Sequence, residues 1–506
     1  MSKILGISSG FHDAAVTLLD EDEIVFAGHS ERYSKEKNDP FLNNELIEAA
    51  LEHGTPDKII LHEKCWAKRL RNIYGRNWRA LREPSQSKWI RKFYPQLKDI
   101  PQKEYWHHET HAAAGVLTSE FDECAVMVID AIGEFDTATI WHWKNNNLKK
   151  LHSVWFPSSL GLFYSAITHR VGLKPMEDEY ILMGMAAYGD PVEGRRLSRK
   201  MGKDFFFFHH AWISNKASIW GNKNLQRGID YNMYKEYDDF TIAFAAQNQV
   251  EKRILSYAEY ARDITNSENL VFMGGVALNC VANSRLFELG YKNIHIMPNP
   301  GDAGSSLGGA ALELFNTTGE KVKWNGPYLG HNIEGPYPIK KALASLKKGE
   351  IFGIANGKAE FGPRALGNRS LCSDPRGPKV KDAMNVIKKR QKFRPFAPMI
   401  LEEHVHEYFD MPGGITNAPY MQFVARCKKP EEFPAIIHED GTSRVQTVNK
   451  KQHPDLYKLL SEYNKVSGCP MLVNTSLNIK GQPIVNDLED AKAFEKHYGV
   501  KVHTND

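Results

Sequence analysis

The sequence has few cysteines, and their spacing excludes the usual cysteine-based scaffolds. Only six occur in 506 residues, with no C-x-x-C pair and no zinc-finger spacing. They are Cys65, Cys124, Cys280, Cys372, Cys427 and Cys469. Widely separated thiols without a pairing pattern are typical of reduced cysteines in a reducing compartment. We therefore expect no disulfide framework.

Long apolar runs are also missing. The first apolar segment, KILGISSG, is too short for the hydrophobic region of a signal peptide, and His12 and Asp13 follow soon after it. No later run approaches the length that spans a membrane. These absences predict a soluble, cytoplasmic protein. With 42% hydrophobic residues, a chain of this length can bury more than one core, so two domains are expected.

The net charge is only +4, but the basic residues are unevenly distributed. Between Lys64 and Lys98, a span that we call the basic aromatic segment, many cations stand against one acid, Glu83. The cations are Lys64, Lys68, Arg69, Arg71, Arg76, Arg79, Arg82, Lys88, Arg91, Lys92 and Lys98, interleaved with Trp66, Tyr74, Trp78, Trp89, Phe93 and Tyr94. Cations beside rings suit a polyanion with stacking bases. The alternative is a basic amphipathic helical insertion whose rings face its own core.

Apolar periodicity predicts where the main strands and helices lie. KILGISSG, AAVTLL and EIVFAGH predict strands of a meander, and KIILH predicts a further strand. CAVMVIDAIG predicts a buried strand with ATIWHW as its hairpin partner. Helices are expected over residues 43–53, in PSSLGLFYSAITHRVG and over residues 240–265. This order favours an α/β fold with a partly antiparallel sheet.

Glycine and proline cluster without an apolar period in NGPYLGHNIEGPYP, residues 325–338. Such a composition is typical of a domain boundary. The sequence therefore predicts one domain over residues 1–330 and a second over residues 331–506.

Two histidines head a helix of small residues in HHETHAAAGVL. The H-x-x-x-H spacing places His107 and His111 on one helical face, where they could share a metal, a phosphate or only a hydrogen-bonded core. Asp130 ends the strand VMVID, and Asp302 lies in NPGDAGSSLGGA, a loop that leads into a helix packed closely through small residues. Two imidazoles and two carboxylates would suit iron(II), manganese or zinc.

Two glycine-rich turns follow predicted strands. GISSGFHDAA holds His12 where an imidazole could accept a proton, and its backbone could approach a phosphate, although glycine-rich hairpins are often only hairpins. In FMGGVALNCVANSRLF, Gly274 and Gly275 precede a helix that carries Asn279. This turn could hold a nucleotide at the helix N-terminus, or it could be a tight strand-to-helix turn.

Cations crowd into two irregular stretches of the second predicted domain, EFGPRALGNRSLCSDPR and IKKRQKFRPFAP. They are Arg364, Arg369, Arg376, Lys388, Arg390 and Arg394. NTSLNIKGQPIV adds Asn474, Thr475 and Ser476 as donors at a strand end. Fixed guanidinium groups bind phosphate oxygens bidentately, so the pattern predicts an anion pocket.

Taken together, these motifs resemble the O-carbamoyltransferase family that includes nodulation protein U and the cephamycin and tobramycin carbamoyltransferases. The resemblance spans nearly the whole chain. It is carried, in order, by GISSGFHDAA, ERYSKEKND, HHETHAAA, VIDAIGE, DEYILMGMAAYG, GGVALN, NPGDAGSSLG, EFGPRALGNRS, FRPFAP and NTSLNIKGQPIV. It implies an α/β protein with an N-terminal actin/hexokinase-like (ASKHA) ATPase domain and a C-terminal YrdC-like domain.

The resemblance also implies an activity. The C-terminal domain would form carbamoyladenylate from ATP and carbamoyl phosphate, with Mg²⁺, and the N-terminal domain would move the carbamoyl group to an acceptor hydroxyl. His107, His111, Asp130 and Asp302 fall on metal ligands, usually of iron(II), and His12 falls beside the acceptor hydroxyl. Residues implied in catalysis or in the activation pocket are Lys37, Lys388, Arg390, Arg394, Arg364, Arg369, Asn474 and Ser476. Gln391, Leu477 and Gln482 depart from the family pattern and put detail of that pocket in doubt.

The basic aromatic segment directs our expectation about the acceptor. It directly precedes the histidine helix, so we predict a hydroxymethylated pyrimidine in DNA, such as 5-hydroxymethylcytosine. The alternatives are a sugar or antibiotic hydroxyl, a kinase reaction on the same fold, and a nucleic-acid-binding protein without catalysis. The oligomeric state stays open, with a homodimer as one possibility.

Overall fold

The coordinates are a computed structural model that describes residues 3–75, 78, 84–206, 229–377, 379–391 and 394–506. Backbone contacts divide the chain into two compact units. Unit 1 comprises Met1–Ile24 and Gly54–Lys323, and unit 2 comprises Val25–His53 and Trp324–Asp506. Unit 2 thus takes in an N-terminal segment that the sequence-based boundary assigns to the first domain. The functional domains, residues 1–330 and 331–506, stay a prediction.

The first part of the described chain contains the elements that carry the histidine motif. In order they are β1 (Lys3–Ser8), β2 (Ala15–Asp20), β3 (Glu23–His29), α1 (Glu31–Ser34), α2 (Asn44–Leu51), β4 (Lys58–Leu61), α3 (Cys65–Tyr74), α4 (Gln86–Phe93), β5 (Gln102–Glu104), α5 (His107–Leu117), β6 (Cys124–Ile129), β7 (Asp136–Lys144) and β8 (Asn147–Trp155). The next part contains α6 (Leu160–Arg170), α7 (Glu179–Met185), α8 (Pro191–Phe205), α9 (Asp239–Thr265), β9 (Asn269–Met273), α10 (Cys280–Arg285), β10 (Asn293–His295) and α11 (Gly304–Thr318).

The C-terminal part is built from shorter strands and helices. They are β11 (Tyr328–Ile333), α12 (Ile339–Lys347), β12 (Phe352–Ala355), β13 (Gly357–Glu360), β14 (Arg369–Ser373), α13 (Val380–Lys388), β15 (Ala397–Leu401), α14 (Val405–Tyr408), β16 (Phe409–Asp410), β17 (Val424–Cys427), β18 (Thr442–Arg444), β19 (Gln446–Val448), α15 (Pro454–Ser467), β20 (Met471–Ser476), α16 (Leu488–Tyr498) and β21 (Val502–His503).

Two five-stranded sheets share one topology. The first has the order β3-β2-β1-β4-β5, and the second has the order β8-β7-β6-β9-β10. In each, the central strand runs antiparallel to the next strand in sequence and parallel to the strand on its other side, which are β2 and β4 for β1 and β7 and β9 for β6. This duplication is the architecture expected of an actin/hexokinase-like domain, and the predicted fold class is confirmed.

Helix α11 contacts both β1 and α5 through glycine. A Cβ atom added at Gly6 of β1 would lie 1.9 Å from the Ser306 carbonyl oxygen, and one added at Gly308 would lie 1.9 Å from the Thr110 carbonyl oxygen. No side chain fits at such distances, so these glycines permit direct contact between backbones. The close packing predicted for NPGDAGSSLGGA is therefore present, and it brings the start of α11 beside the histidine helix.

Unit 2 is centred on a six-stranded sheet with the order β19-β15-β20-β14-β12-β21. Its central pairs are antiparallel, and its two outer pairs are parallel. Strands β14 and β15 are fully buried. The unit is thus a mixed α/β structure, as predicted for the C-terminal domain.

The strands and helices that apolar periodicity predicted are confirmed where the structure describes them. β1 to β4, the β6–β7 hairpin, α2, α6 and α9 all lie at the expected places. Within the described ranges, no helix is both long and apolar enough to cross a membrane.

Candidate functional site

Four side chains of unit 1 converge on one point. His107 and His111 lie one helical turn apart at the start of α5, so their rings project from the same face. Asp130 follows the last residue of β6, and Asp302 lies in the loop that precedes α11. The four ligand atoms all lie within 4.8 Å of one another. The residues predicted from sequence as metal ligands are thus brought together.

The distances in this cluster are short. The Nε2 atom of His107 lies 3.1 Å from Nε2 of His111, 3.2 Å from Oδ2 of Asp130 and 3.4 Å from Oδ1 of Asp302. The Nε2 atom of His111 lies 3.4 Å from Oδ1 of Asp302 and 3.7 Å from Oδ2 of Asp130. Two imidazole nitrogens that face each other at this distance require a shared proton or a cation between them.

The charges of the four residues affect one another strongly because their side chains are largely buried. Burial alone would lower the pKa of His107, but Asp302 and Asp130 raise it well above its usual value. Burial alone would raise the pKa of Asp302, but His107 and His111 hold it well below its usual range. The carboxylates therefore keep their negative charge and stabilise positive charge at His107.

The donor set fits a divalent metal. Two nitrogens and two carboxylate oxygens are ligands that iron(II), manganese and zinc accept. Among the described residues, the Nδ1 atoms of His107 and His111 are buried without a hydrogen-bond partner, while their Nε2 atoms point into the cluster. A cation could take the place of the proton there, because metal binding and protonation compete for the same nitrogens.

Glu134 fixes the start of the histidine helix. Its carboxylate accepts a hydrogen bond from the His107 backbone N–H at 3.2 Å and another from the Lys64 backbone N–H at 2.7 Å. It therefore joins the N-terminus of α5 to that of α3. Sequence reasoning did not select Glu134 as a site residue, although it lies in the motif VIDAIGE beside Asp130.

His62 and Glu63 form a second buried group beside the first. The ring of His62 packs against that of His107 with centroids 5.3 Å apart, and Glu63 pairs with Lys68 at 2.5 Å. Burial lowers the pKa of His62 to about 4, so its imidazole is neutral at pH 7. Sequence reasoning missed both residues, because they follow β4 and no spacing links them to α5.

The glycine turn after β9 supports Asp130. Gly274 has a φ of 90°, and a Cβ atom there would lie 2.2 Å from the Ile129 carbonyl oxygen. The Gly275 N–H donates to Oδ1 of Asp130 at 3.0 Å. Asn279 caps α10 and exchanges two side-chain hydrogen bonds with Gln247, each of 3.0 Å. The turn thus holds a ligand residue in place, and the nucleotide contact of these three residues stays a prediction.

His12 lies in the turn after β1 with both ring nitrogens engaged. Nδ1 lies 3.0 Å from Oδ2 of Asp13, and Nε2 donates to the Met176 carbonyl oxygen at 2.7 Å. Burial would lower the pKa of His12, but Asp13 and Asp302 raise it to about 10. This environment favours an imidazolium and opposes the role of proton acceptor that the sequence suggested.

The basic aromatic segment is anchored on two sides. The Lys64 N–H is bound by Glu134, and the side-chain amide of Gln86 in α4 donates to the hydroxyl and the carbonyl oxygen of Ser9, at 2.6 and 3.0 Å. The first contact lies beside the cluster of two histidines and two aspartates, and the second lies beside the turn that carries His12.

Most rings that the structure describes in this segment face solvent. Trp66, Tyr74 and Trp78 are each more than half exposed, and Phe93 is nearly so. Tyr94 is buried, so the alternative of rings facing their own core holds for only part of the segment. Arg76, Arg79, Arg82 and Glu83, which belong to the predicted charge cluster, lie outside the described residues.

In unit 2, Lys388 ends α13 with its ammonium group buried. Its Nζ donates to the Ser476 carbonyl oxygen at 2.6 Å and to the Asn478 side-chain oxygen. Burial lowers the pKa of Lys388 well below its usual value, and the positive charges of Arg390 and Arg394 lower it further. The negative charge of an anion bound beside these residues would raise the pKa of Lys388 again, against the effects of burial and of the two arginines. This is the behaviour expected of an anion pocket.

Arg369 is placed differently from the other predicted pocket cations. Its guanidinium group is fully buried and donates to the backbone carbonyl oxygens of Asn486, Asn356, Gly357, Asn368 and His331 at 2.8–3.1 Å. Burial lowers its pKa to about 10. All of its donors are engaged, so this geometry favours a role in positioning strands over a direct contact with a ligand.

The remaining predicted residues of unit 2 vary in exposure. Arg390 stacks on Phe396 with its guanidinium carbon 3.9 Å from the ring centroid, and Arg364 and Arg394 are partly buried. Lys37 is exposed in the loop after α1. The amide of Asn474 donates to Gln446 at 2.6 Å, and its side-chain oxygen is buried without a partner in the described part of the chain. Arg376 is paired with Asp374 at 2.8 Å.

Two family models match the chain. The model described as carbamoyltransferase N-terminus matches residues 3–312, and the model described as carbamoyltransferase C-terminus matches residues 343–503. Solved structures of limited similarity include component A of (R)-2-hydroxyglutaryl-CoA dehydratase from Acidaminococcus fermentans, at 16% identity with a TM-score of 0.34 over 63% of this chain and 100% of that chain. A TM-score this low supports no conclusion.

Curated relatives match over most of their length. An uncharacterized protein of Synechocystis is 33% identical over 97% of this chain and 94% of its own. Nodulation protein NolO of Bradyrhizobium diazoefficiens is 33% identical over 76% of this chain and 75% of its own, and the 3'-hydroxymethylcephem-O-carbamoyltransferase of Amycolatopsis lactamdurans is 26% identical over 97% and 95%. The chain therefore belongs to the O-carbamoyltransferase family and is a carbamoyl-transferring enzyme.

Proposed function

We propose that the protein is an ATP-dependent O-carbamoyltransferase that forms carbamoyladenylate in unit 2 and transfers its carbamoyl group in unit 1. The observation that carries this proposal is the convergence of His107, His111, Asp130 and Asp302 in a chain of this family. Carbamate is a poor electrophile, and joining it to AMP supplies a good leaving group. ATP and carbamoyl phosphate are the co-substrates, with Mg²⁺ accompanying ATP.

Activation would occur at the cations of unit 2. Water cleaves carbamoyl phosphate into carbamate and phosphate. An oxygen of the carbamate then attacks the α-phosphorus of ATP, and pyrophosphate leaves. Lys388, Arg390 and Arg394 supply positive charge for the phosphate oxygens, and Arg364 and Ser476 add further donors. Burial and the neighbouring cations lower the pKa of Lys388, and a bound anion would raise it, so ligand binding and protonation of Lys388 are linked.

Transfer would occur in unit 1. His107, His111, Asp130 and Asp302 would hold the metal, with iron(II) favoured by the family resemblance and manganese or zinc compatible with the ligands. When bound, such a cation supplies positive charge that offsets charge on the carbonyl or phosphate oxygens. Glu134 and Gly275 keep two of these ligands in place through their backbone hydrogen bonds. Lys37, which belongs to unit 2, remains a candidate catalytic residue by the family resemblance.

We propose a hydroxymethylated pyrimidine in DNA, such as 5-hydroxymethylcytosine, as the acceptor. The exposed rings of Trp66, Tyr74 and Trp78 offer stacking surfaces, and Lys68, Arg69 and Arg71 lie between Trp66 and Tyr74 in α3. The anchors of the segment at Glu134 and Ser9 adjoin the residues proposed for transfer. Stacking on aromatic side chains is typically worth about 1–3 kcal/mol per base.

The test uses two DNA duplexes that differ only in hydroxymethylation. Each is incubated with the metal-loaded protein, ATP and carbamoyl phosphate, and the nucleosides are analysed by mass spectrometry. We expect one added carbamoyl group on the hydroxymethylated base and none on the plain duplex. The double variant Trp66→Ala/Tyr74→Ala should lose DNA modification and still release AMP when a small alcohol is the acceptor. The exposed Leu151→Ala serves as a surface control.

The other candidate functions give different products. Modification of free sugars or aminoglycosides without modification of DNA would favour a small-molecule acceptor, which the cephem-modifying relative makes the strongest alternative. A kinase would release ADP in place of AMP and pyrophosphate. A binding protein without catalysis would bind DNA and consume no ATP.

A further inference from the structure

His12 has no free nitrogen lone pair in this structure. Nε2 lies 2.7 Å from the Met176 carbonyl oxygen, which can only accept a hydrogen bond, so Nε2 carries a proton. Nδ1 lies 3.0 Å from the Asp13 carboxylate, which accepts a second. An imidazole that donates from both nitrogens cannot take the proton of an attacking hydroxyl. The arrangement is the opposite of what a general base requires.

The Met176 carbonyl is held in this position by a strained turn. Met176 has a φ of 66°, a left-handed conformation that is unfavourable for a residue with a side chain. Its N–H donates to Oε1 of Glu179 at 2.6 Å, and the hydroxyl of Ser165 donates to the same oxygen at 2.5 Å. Glu179 thus links the turn to α6 and keeps the carbonyl directed at His12.

The charged groups around His12 support the same protonation state. Asp13 carries negative charge toward it. Burial raises the pKa of Glu179, and the positive charge of His12 opposes that rise. The pKa of His12, raised to about 10, keeps the ring protonated at neutral pH.

We propose that His12 acts in carbamoyl transfer as a hydrogen-bond donor and that Met176, Glu179 and Ser165 form the device that sets it in this role. The inference rests on the proposed transfer reaction and assigns Glu179 as a positioning residue. A phosphate oxygen of the carbamoyl donor competes with the Met176 carbonyl for the Nε2 proton, because an anionic acceptor forms the stronger hydrogen bond.

The transfer step balances without a histidine base. The acceptor oxygen attacks the carbamoyl carbon and forms a new C–O bond. The bond from that carbon to the phosphate oxygen breaks, and the electron pair leaves with AMP. The acceptor proton passes to a phosphate oxygen or to water. The His12 imidazolium offsets the negative charge that develops on AMP.

The test separates positioning from simple structural support. Glu179→Gln keeps an oxygen that can accept from Met176 and Ser165, whereas Glu179→Ala removes it. We expect Glu179→Ala to lower kcat of transfer by about 10- to 100-fold with little change in KM for the acceptor. Glu179→Gln should stay within about threefold of the parent, since the geometry is retained. Thermal unfolding of both variants checks that each one is folded.

Two further measurements distinguish donor from base. The donor role predicts that kcat of transfer does not fall between pH 8 and pH 6, and that the ¹⁵N shifts of His12 in the metal-loaded protein show both nitrogens protonated over this range. A tenfold fall per pH unit that disappears in His12→Asn would overturn the inference, and so would an unprotonated Nε2 at pH 7. The ¹⁵N measurement needs no turnover, so it tests His12 even if the proposed acceptor or reaction is wrong.

Discussion

The hydrogen-bond and ion-pair partners of a charged side chain determine which role it can take. His12, Arg369 and Glu313 each carry charge, yet their partners differ. His12 faces one carboxylate and one carbonyl, Arg369 faces carbonyls alone, and Glu313 faces two ammonium groups and a phenol. The partner set determines whether each residue binds a ligand, positions a neighbour or stabilises the fold.

Glu313 gives a prediction about acid stability. Burial would raise the pKa of its carboxyl group, but hydrogen bonds from Lys103, Lys58 and Tyr105 lower it to about 2. The folded pKa is below the unfolded value of about 4.3, so the stabilisation is present above pH 5 and is lost as the pH falls toward 2. Glu313→Gln should lower the free energy of unfolding by about 1–2 kcal/mol at pH 7, because both lysines are partly exposed.

Urea unfolding followed by circular dichroism at pH 7 and pH 3.5 measures this effect. The difference in the free energy of unfolding between Glu313→Gln and the parent should be smaller at pH 3.5 than at pH 7. The control Glu193→Gln removes an exposed carboxylate that lies 3.8 Å from Arg196 and should change stability by only a few tenths of a kcal/mol. An equal loss of free energy of unfolding at both pH values would show that the ion pairs of Glu313 are not the source of the stabilisation.

The sequence alone predicted some of the residues of the candidate site. His107, His111, Asp130 and Asp302 were predicted because the H-x-x-x-H spacing and two strand- or loop-end aspartates each stand out locally. The contact between His12 and Met176 could not be predicted from sequence, because Met176 lies 164 residues away and contributes a backbone carbonyl, which any residue type could supply. Arg369 looks like a phosphate-binding arginine in sequence, since nothing local shows that five carbonyl groups surround it.

At the scale of elements, the position of the histidine helix depends on its contact with α11. The glycine pair of α11 offers a matched test because both residues are helical but face different neighbours. A Cβ atom at Gly308 would lie 1.9 Å from the backbone oxygen of Thr110, whereas one at Gly309 would lie 3.1 Å from a methyl group of Ile60. A side-chain methyl can move slightly, and a helix backbone cannot.

Gly308→Ala should therefore destabilise the protein by about 3 kcal/mol and shift α5. Displacement of His107 and His111 should also reduce bound metal, measured by elemental analysis after dialysis. Gly309→Ala should stay within about 1 kcal/mol of the parent and keep its metal, because a better helix former offsets slight crowding. Similar effects of the two substitutions on metal content would mean that the contact with Thr110 does not position the ligands.

Sequence patterns predicted the elements more readily than their contacts. The small residues of NPGDAGSSLGGA predicted a closely packed helix, and α11 fulfils that expectation. Which glycine meets which backbone was not predictable, because the contact depends on how α5 and β1 are arranged in space. The nucleotide-type turn at Gly274 was also ambiguous, since a positive φ is needed equally for binding a ligand and for passing close to Ile129.

At the scale of the whole molecule, the second unit depends on an N-terminal segment. Val25–His53 belongs to unit 2 together with Trp324–Asp506. Within that unit, the buried Arg32 donates to the Gly362 carbonyl oxygen at 2.9 Å, and Lys35 pairs with Asp490 at 2.5 Å. The glycine- and proline-rich stretch near residue 330 predicted a boundary in the chain, but composition could not show that an earlier segment packs with the later part.

A fragment of residues 324–506 should therefore fold poorly by itself. Loss of Val25–His53 exposes apolar surface and leaves buried hydrogen-bonding groups unpaired, so we expect no cooperative urea transition. A single chain in which residues 25–53 are joined to residue 324 by a flexible linker should recover cooperativity. A sharp transition for the shorter fragment would show that the N-terminal segment is dispensable for this unit.

Transfer at the histidine and aspartate cluster, separate from activation, is the step on which the proposed reaction depends most. The direct measurement is mass spectrometry of all products made by Asp302→Asn from ATP, carbamoyl phosphate and an acceptor alcohol. We predict that pyrophosphate and carbamoyladenylate still form while the acceptor stays unmodified. Carbamoylation of the acceptor at the parental rate by this variant would show that transfer does not take place at this cluster.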